Sequence, residues 1–238
     1  MKHVTLVNAN TNEGMTDHMA RLARARLGNG VQVMAQTAAG GTAYIGSPRT
    51  CAMAAAAAAD MVEETLACVR RGEQHMPDAF LLGCFGDPGL AAVRDISPVP
   101  VISMLEASLL TALQLGERFA IVTPGQRWPR MIDDTLAQLG IARQCLGIDA
   151  IVLDNLHLPE QQALAVPELQ RLVDAQAERY SPAVIIIGGA ALAGLHDAVV
   201  APPGVCLLNA FDAALAQVAG LMTLPGTSHA WSPQRCIL

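Results

Sequence analysis

The chain predicts an α/β protein of two similar lobes, each a parallel sheet covered by helices, and three observations predict it. Apolar, β-branched runs alternate with helical stretches along the whole sequence, the pattern of parallel strands joined by crossover helices. The distinctive runs also recur in the same order. HVTLVNANT (3–11) is echoed by RFAIVTPGQ (118–126), AFLLGC (79–84) by VIIIGG (184–189), and the proline-flagged SPVPVI (97–102) by the proline-flagged APPGVC (201–206). Finally, 238 residues with 52% hydrophobic but only 3% aromatic side chains supply aliphatic cores for two lobes of roughly 100 to 120 residues each.

Taken in order, strands are expected at 3–8, 31–36, 79–84 and 99–104, with helices at 14–27, 50–72, 88–95 and 106–115. These build a first lobe over residues 1–113. Strands at 118–123, 148–153, 183–189 and 205–210, with helices at 128–139, 160–180 and 211–222, build a second over 114–222, and a tail from 223 is expected to pack back across the first. The alanine run at 52–59 is bounded by Arg49 and Asp60 and followed by Glu63 and Glu64. It is far short of the ~20 apolar residues of a membrane span and reads as a soluble helix. Asp87 followed by Pro88 has the order of an N-cap and first helical residue. Glu106 opens a helix, where an acid suits the helix dipole.

Fifteen Lys and Arg against 21 Asp and Glu give a net charge of −6, and the basic residues form no stripe, which argues against nucleic acid or an anionic membrane as partner. Six scattered cysteines (51, 68, 84, 145, 206, 236) show no CxxC and no zinc spacing. A reducing cytosol therefore fits better than a disulfide framework or structural metal. The start MKHVTLVNANT runs straight into a strand pattern and does not read as a signal peptide. Low charge and many alanines on helices leave room for a homo-oligomer.

In open parallel sheets ligands sit beyond the carboxyl ends of the strands. The candidates there are Asn8, Asn10 and Thr11, Tyr44 and Ile45 in the turn GGTAYIGS, Cys84, Phe85, Gly86 and Asp87, Thr123 to Gly125, and Gly188, Gly189 and Ala190. If the lobes face each other, these loops line one cleft. Tyr44 and Thr123 can each bond a ligand carboxylate or their own turns. Cys84 ends a strand and precedes an expected helix N-terminus, where oriented dipoles favour thiolate. The other cysteines read as small buried apolar residues. Asp87 is a second acid–base candidate but reads first as a helix cap, and His196 reads as a helix-face residue. With no G-x-G-x-x-G after a strand and no G-K-[ST], nucleotide binding has weak support.

CFGDPGL (84–90), VNANT (7–11) with Met15-Thr16, PVPVISMLEA (98–107) and GERFAIVT (116–123) resemble the Asp/Glu/hydantoin racemase superfamily, on its hydantoin-racemase side, over residues 3 to about 220. The resemblance implies two Rossmann-like lobes related by a pseudo-twofold, a site in the inter-lobe cleft, and no cofactor. It also implies a small carboxylate or hydantoin-like substrate, with proton transfer at its α-carbon by one cysteine from each lobe. On that resemblance Cys84 is the first-lobe cysteine. Asn8, Asn10 and Thr11 match an Asn-Pro-Asn-Thr element with Ala9 for Pro, and Thr123 ends the fifth strand. The second-lobe cysteine position is Gly189. Amides and side chains beside both positions would stabilise an enolate-like state. Three readings stay open. They are racemisation with another group serving the Gly189 face, decarboxylation of a malonate with Cys84 as the single proton donor and Gly189 leaving space for a bulky substituent, and a binding module without chemistry.

Overall fold

Apolar tetrapeptides such as AFLL (79–82) and VIII (184–187) bury every residue, as strands covered on both faces do. A computed structural model describes residues 1–152 and 164–224. In the first half it places β1 (Lys2–Asn8), α1 (Glu13–Leu27), β2 (Val31–Thr37), α2 (Pro48–Arg70), β3 (Ala79–Leu82), α3 (Leu90–Ile96), β4 (Val101–Ser103) and α4 (Met104–Leu115). The second half holds β5 (Phe119–Pro124), α5 (Trp128–Gln138), β6 (Cys145–Ile151), α6 (Val166–Tyr180), β7 (Val184–Ile187), β8 (Cys206–Asn209) and α7 (Ala210–Leu221).

The strands form two four-stranded sheets, ordered β2-β1-β3-β4 and β6-β5-β7-β8, and every pairing is parallel. The repeat read in the sequence is thus a repeat of topology. In each sheet the chain winds first to one side and then to the other. The switch falls between β1 and β3 in one and between β5 and β7 in the other, and a crevice opens there beyond the strand ends.

Local chemistry sets the helix starts. Asn12 caps α1 by accepting from the Met15 N–H at 3.0 Å. Ser47 and Thr50 form a capping box ahead of Pro48 on α2, and the Asn209 amide oxygen accepts from Phe211 and Asp212 at the start of α7. The alanine run lies in α2, where Ala54, Ala58 and Val62 form one buried stripe. No described helix is long and apolar enough to cross a membrane.

Several helix starts differ from expectation, and two of them bear on the site. The helix expected at 88–95 begins at Leu90, because Asp87 (φ 47°) and Gly89 (φ 77°) turn the chain through left-handed conformations first. The helix expected from 106 begins at Met104, which puts Glu106 in its first turn. The duplicated segment retains the backbone device. Gly194 (φ 82°) stands before Leu195 as Gly89 stands before Leu90, but only a short 3-10 turn follows, at Leu195–Ala198, after another at Ala190–Leu192. Residues 160–163 of the expected 160–180 helix, residue 153, and the tail beyond 224 lie outside the described residues.

The lobes join through helices. α4 packs on α7, where Gln217 donates to the Ala107 carbonyl at 2.9 Å and to the Thr111 hydroxyl at 3.2 Å. One stripe of α1, spaced by four residues, reaches the second lobe. His18 Nε2 donates to the Ala193 carbonyl at 3.0 Å, Leu22 packs against Gly194, and Arg26 pairs with Asp212 at 3.1 Å.

Candidate active site between the lobes

The carboxyl ends of β1, β3, β5 and β7 surround a cleft lined by residues of both lobes, the usual place for a ligand in open parallel sheets. Among the described residues it is lined without any Asp, Glu, Lys, Arg or His. Polarity comes from Asn10, Asn12, Tyr44, Cys84 and Thr123. No group of three His, Cys, Asp or Glu among the described residues is placed to hold a metal.

Asn8 fixes the first wall from behind. It is fully buried, and its amide N–H2 donates to Asn10 Oδ1 at 3.0 Å, to the Asn12 carbonyl at 3.2 Å and to Thr16 Oγ1 at 2.9 Å. The Asn12 N–H also donates to Asn10 Oδ1, at 2.8 Å. The Asn10 side-chain oxygen is thus used twice, and the residue lines the cleft. Thr11 does not face the cleft. Its backbone N–H donates to the Thr42 carbonyl at 3.0 Å and ties this loop to the glycine-rich turn. From that turn Tyr44 and Ile45 do line the cleft.

Cys84 follows β3 and keeps 9% of its surface, on the cleft wall. The expectation of a dipole-stabilised thiolate does not hold. α3 starts six residues later, beyond the reach of its N-terminal dipole, and burial pushes the thiol well above its ordinary value. Cys51 and Asp87 push the same way, opposed by the Gly86 N–H. Cys84 rests as the neutral thiol.

Asp87 is a cap, though of a different helix than its sequence position suggests. Its carboxylate accepts from Leu105 N–H at 2.9 Å and Glu106 N–H at 2.7 Å, so it closes the start of α4 and pins the Cys84 turn against it. Burial, outweighing those two N–H donors, raises it to about 6. Glu106 is held by Arg94, which also donates to the Val101 carbonyl.

Phe85 lines the cleft, and its ring fills the space beside Gly188, where a Cβ would stand 2.1 Å from Cε1. Gly86 likewise yields to the Trp128 ring, at 2.3 Å. Gly86 and Gly188 therefore stand behind the wall and allow aromatic rings to form it. Gly189 and Ala190 are on the wall itself. Gly189 has φ 107°, and a Cβ there would stand 2.6 Å from Pro124 Cδ. The missing side chain thus leaves no spare volume for a bulky substituent, because the proline ring occupies it. His196 sits in the second 3-10 turn, paired with Asp212 at 3.2 Å and away from the cleft.

Thr123 is only 1% exposed, its hydroxyl has no hydrogen-bond partner, and it lines the cleft. Buried polar groups are seldom left unpaired.

Sequence reasoning missed Asn12, Met15, Ala43, Gly83, Trp128 and Ala191 on the lining. Two carried a signal. Asn12 stands three residues before Met15 at a helix start, and Trp128 is one of two tryptophans in an aromatic-poor chain, opening the helix after β5.

A family model for Asp/Glu/hydantoin racemases matches residues 4–218. The hydantoin racemase of Rhizobium meliloti is 30% identical over 157 residues, covering 66% of this chain and 65% of that relative, a little under two thirds of its length. The hydantoin racemase of Pseudomonas sp. (strain NS671) is 26% identical, with 87% of this chain and 80% of that one covered. The solved structure of allantoin racemase from Klebsiella pneumoniae superposes with a TM-score of 0.85 at 26% identity, covering 98% of this chain and 92% of that one. With two matching parallel-sheet lobes and a family match spanning nearly its whole length, the chain belongs to the Asp/Glu/hydantoin racemase family.

Proposed function

We propose that the protein is a cofactor-independent racemase or epimerase of small amino-acid-derived substrates, either hydantoin-like rings or carboxylates, that moves a proton at the α-carbon through Cys84. The observation that carries this reading is the pairing, in one cleft, of the Cys84 thiol with the partnerless Thr123 hydroxyl. Removing an α-proton leaves negative charge on the adjacent carbonyl oxygen. Hydrogen-bond donors fixed before the reaction stabilise that charge, and Thr123 Oγ1 and the Asn10 amide are such donors. Residues 1–113 and 114–222 then act as two lobes, each lending one wall.

Cys84 rests protonated, which suits donation to the enolate-like state. Acting as base, it has to ionise first, so turnover in the direction where it removes the proton rises with pH. The five free cysteines among the described residues suit a reducing, cytosolic setting.

The test is deuterium uptake from D2O into D- and L-5-isopropylhydantoin, followed by NMR. Both enantiomers exchange with the native protein, and Cys84→Ala slows inversion by about 100-fold or more. Absence of exchange with both enantiomers contradicts the reading. Because Cys84 is the only sulfur of the pair that the family uses, a second reading is decarboxylation of an arylmalonate with Cys84 as proton donor. Release of CO2 from such a malonate, with one product enantiomer and no hydantoin exchange, would select it.

A further inference from the structure

Racemisation needs a proton carrier on each face of the α-carbon, and the wall formed by Pro124 and Gly189 offers none of its own. The parallel register of β5 and β7 continues past the strands, with the Gly188 N–H donating to the Val122 carbonyl at 2.8 Å. Pro124 and Gly125 therefore run beside Gly189. A Cβ on Gly189 would meet the Pro124 ring, so this corner is closed to a side chain from residue 189.

A side chain from the other lobe reaches the same corner. Tyr44 belongs to the glycine-rich turn that follows β2, yet its hydroxyl lies 2.9 Å from where a Cβ on Gly125 would stand. Its ring lies over Gly46, where a Cβ would be 2.4 Å from Cε1. Glycine at 46 and at 125 is what lets the ring cross the cleft. Trp128 holds the far end, its Nε1–H donating to the Tyr44 oxygen at 3.3 Å. The same indole packs its six-membered ring over Gly86, two residues from Cys84. Thiol and phenol thus flank one gap, bridged at its edge by a single indole. Among the described residues lining the cleft, Cys84 and Tyr44 are the only ones with acid–base side chains.

We propose that the Tyr44 hydroxyl is the second proton carrier, serving the face of the substrate opposite Cys84 in place of the absent cysteine at 189; this rests on the racemase reading. With one enantiomer, the Cys84 thiolate takes the α-proton, the Cα–H bond pair moves into the enolate, and the enolate takes a proton from the Tyr44 O–H. Thiol and phenolate remain. That pair is the starting state for the opposite enantiomer, whose proton passes to the phenolate while the thiol donates. Each turnover conserves one proton, and the two starting states re-equilibrate through solvent. Desolvation holds both groups above their ordinary values, so each starting state forms by loss of one proton to solvent.

The experiment uses Tyr44→Phe in the full chain with D- and L-5-isopropylhydantoin in D2O, following deuterium uptake by NMR and inversion by circular dichroism. The native protein inverts both enantiomers with deuterium uptake. In the variant, inversion falls by about 100-fold or more in both directions, while the enantiomer whose proton Cys84 removes still exchanges, with retention. Exchange without inversion is a result that loosened packing alone does not produce. Native-like inversion in Tyr44→Phe overturns the Tyr44 role and leaves the racemase reading standing, whereas absence of exchange by the native protein overturns both. If the variant fails to fold, global replacement of the two tyrosines, Tyr44 and Tyr180, by the more acidic 3-fluorotyrosine supplies the answer. The alkaline limb of the inversion profile then shifts to lower pH, and an unmoved limb overturns the proposal.

Discussion

Thr123 carries a hydroxyl that has lost water and gained no partner, a cost of roughly 1–3 kcal/mol for a buried polar group. Thr123→Val keeps the shape and removes that group. The expected outcome is a melting temperature equal to or above the native one, together with a KM for 5-isopropylhydantoin raised by about tenfold. A lowered melting temperature with unchanged KM would assign the hydroxyl to the fold instead. At this scale the sequence was informative about position and less so about state. Cys84, Tyr44, Ile45, Phe85, Thr123, Gly189 and Ala190 were legible because strand ends in parallel sheets face ligands. The protonation of Cys84 was not. It depends on how deeply the 84–89 turn is buried and on where α3 begins, and a left-handed Asp87 sets that start.

Elements explain why Asp87 matters beyond its own turn. Its carboxylate bridges eighteen and nineteen residues forward to the first N–H groups of α4, so the turn that carries Cys84 is fastened to the helix that joins the lobes. The Asp-Pro order pointed to the neighbouring helix because capping is usually local. Only the packing of α4 against the turn reveals the distant one. Raised to about 6 from 3.8, Asp87 binds more protons folded than unfolded between those values. Its contribution is therefore fully present below about pH 4 and is lost as pH rises through about 6. Asp87→Asn removes this component, and the difference in urea midpoint between native protein and variant is expected to change between pH 4.5 and 6.5. A difference independent of pH would show that the carboxyl does not titrate there. Strand and helix order was legible throughout because β-branched runs and alanine-rich stretches rarely exchange roles. In the second half Leu195 after Gly194 opens only a short 3-10 turn, since a Gly-Leu pair marks a left-handed entry to a helix but not how far the helix continues.

At the scale of the whole molecule, two switch points face each other because α4, α7 and α1 tie the lobes together. The cleft belongs to neither lobe alone. Asn10, Tyr44 and Cys84 come from the first, Thr123, Trp128 and Gly189 from the second, and Tyr44 and Trp128 meet across the gap. The repeated motif order made this two-lobe plan legible, whereas contacts across the cleft left no periodic trace in the sequence. The central claim is that the Cys84 sulfur, on the wall of this shared cleft, carries the proton. Alkylation by iodoacetamide, mapped by peptide mass spectrometry while hydantoin inversion is assayed, tests it most directly. Activity is expected to fall in step with modification of Cys84, faster at higher pH as the thiol ionises and more slowly when 5-isopropylhydantoin fills the cleft. Full activity with Cys84 alkylated, or loss of activity with Cys84 unmodified, would contradict it.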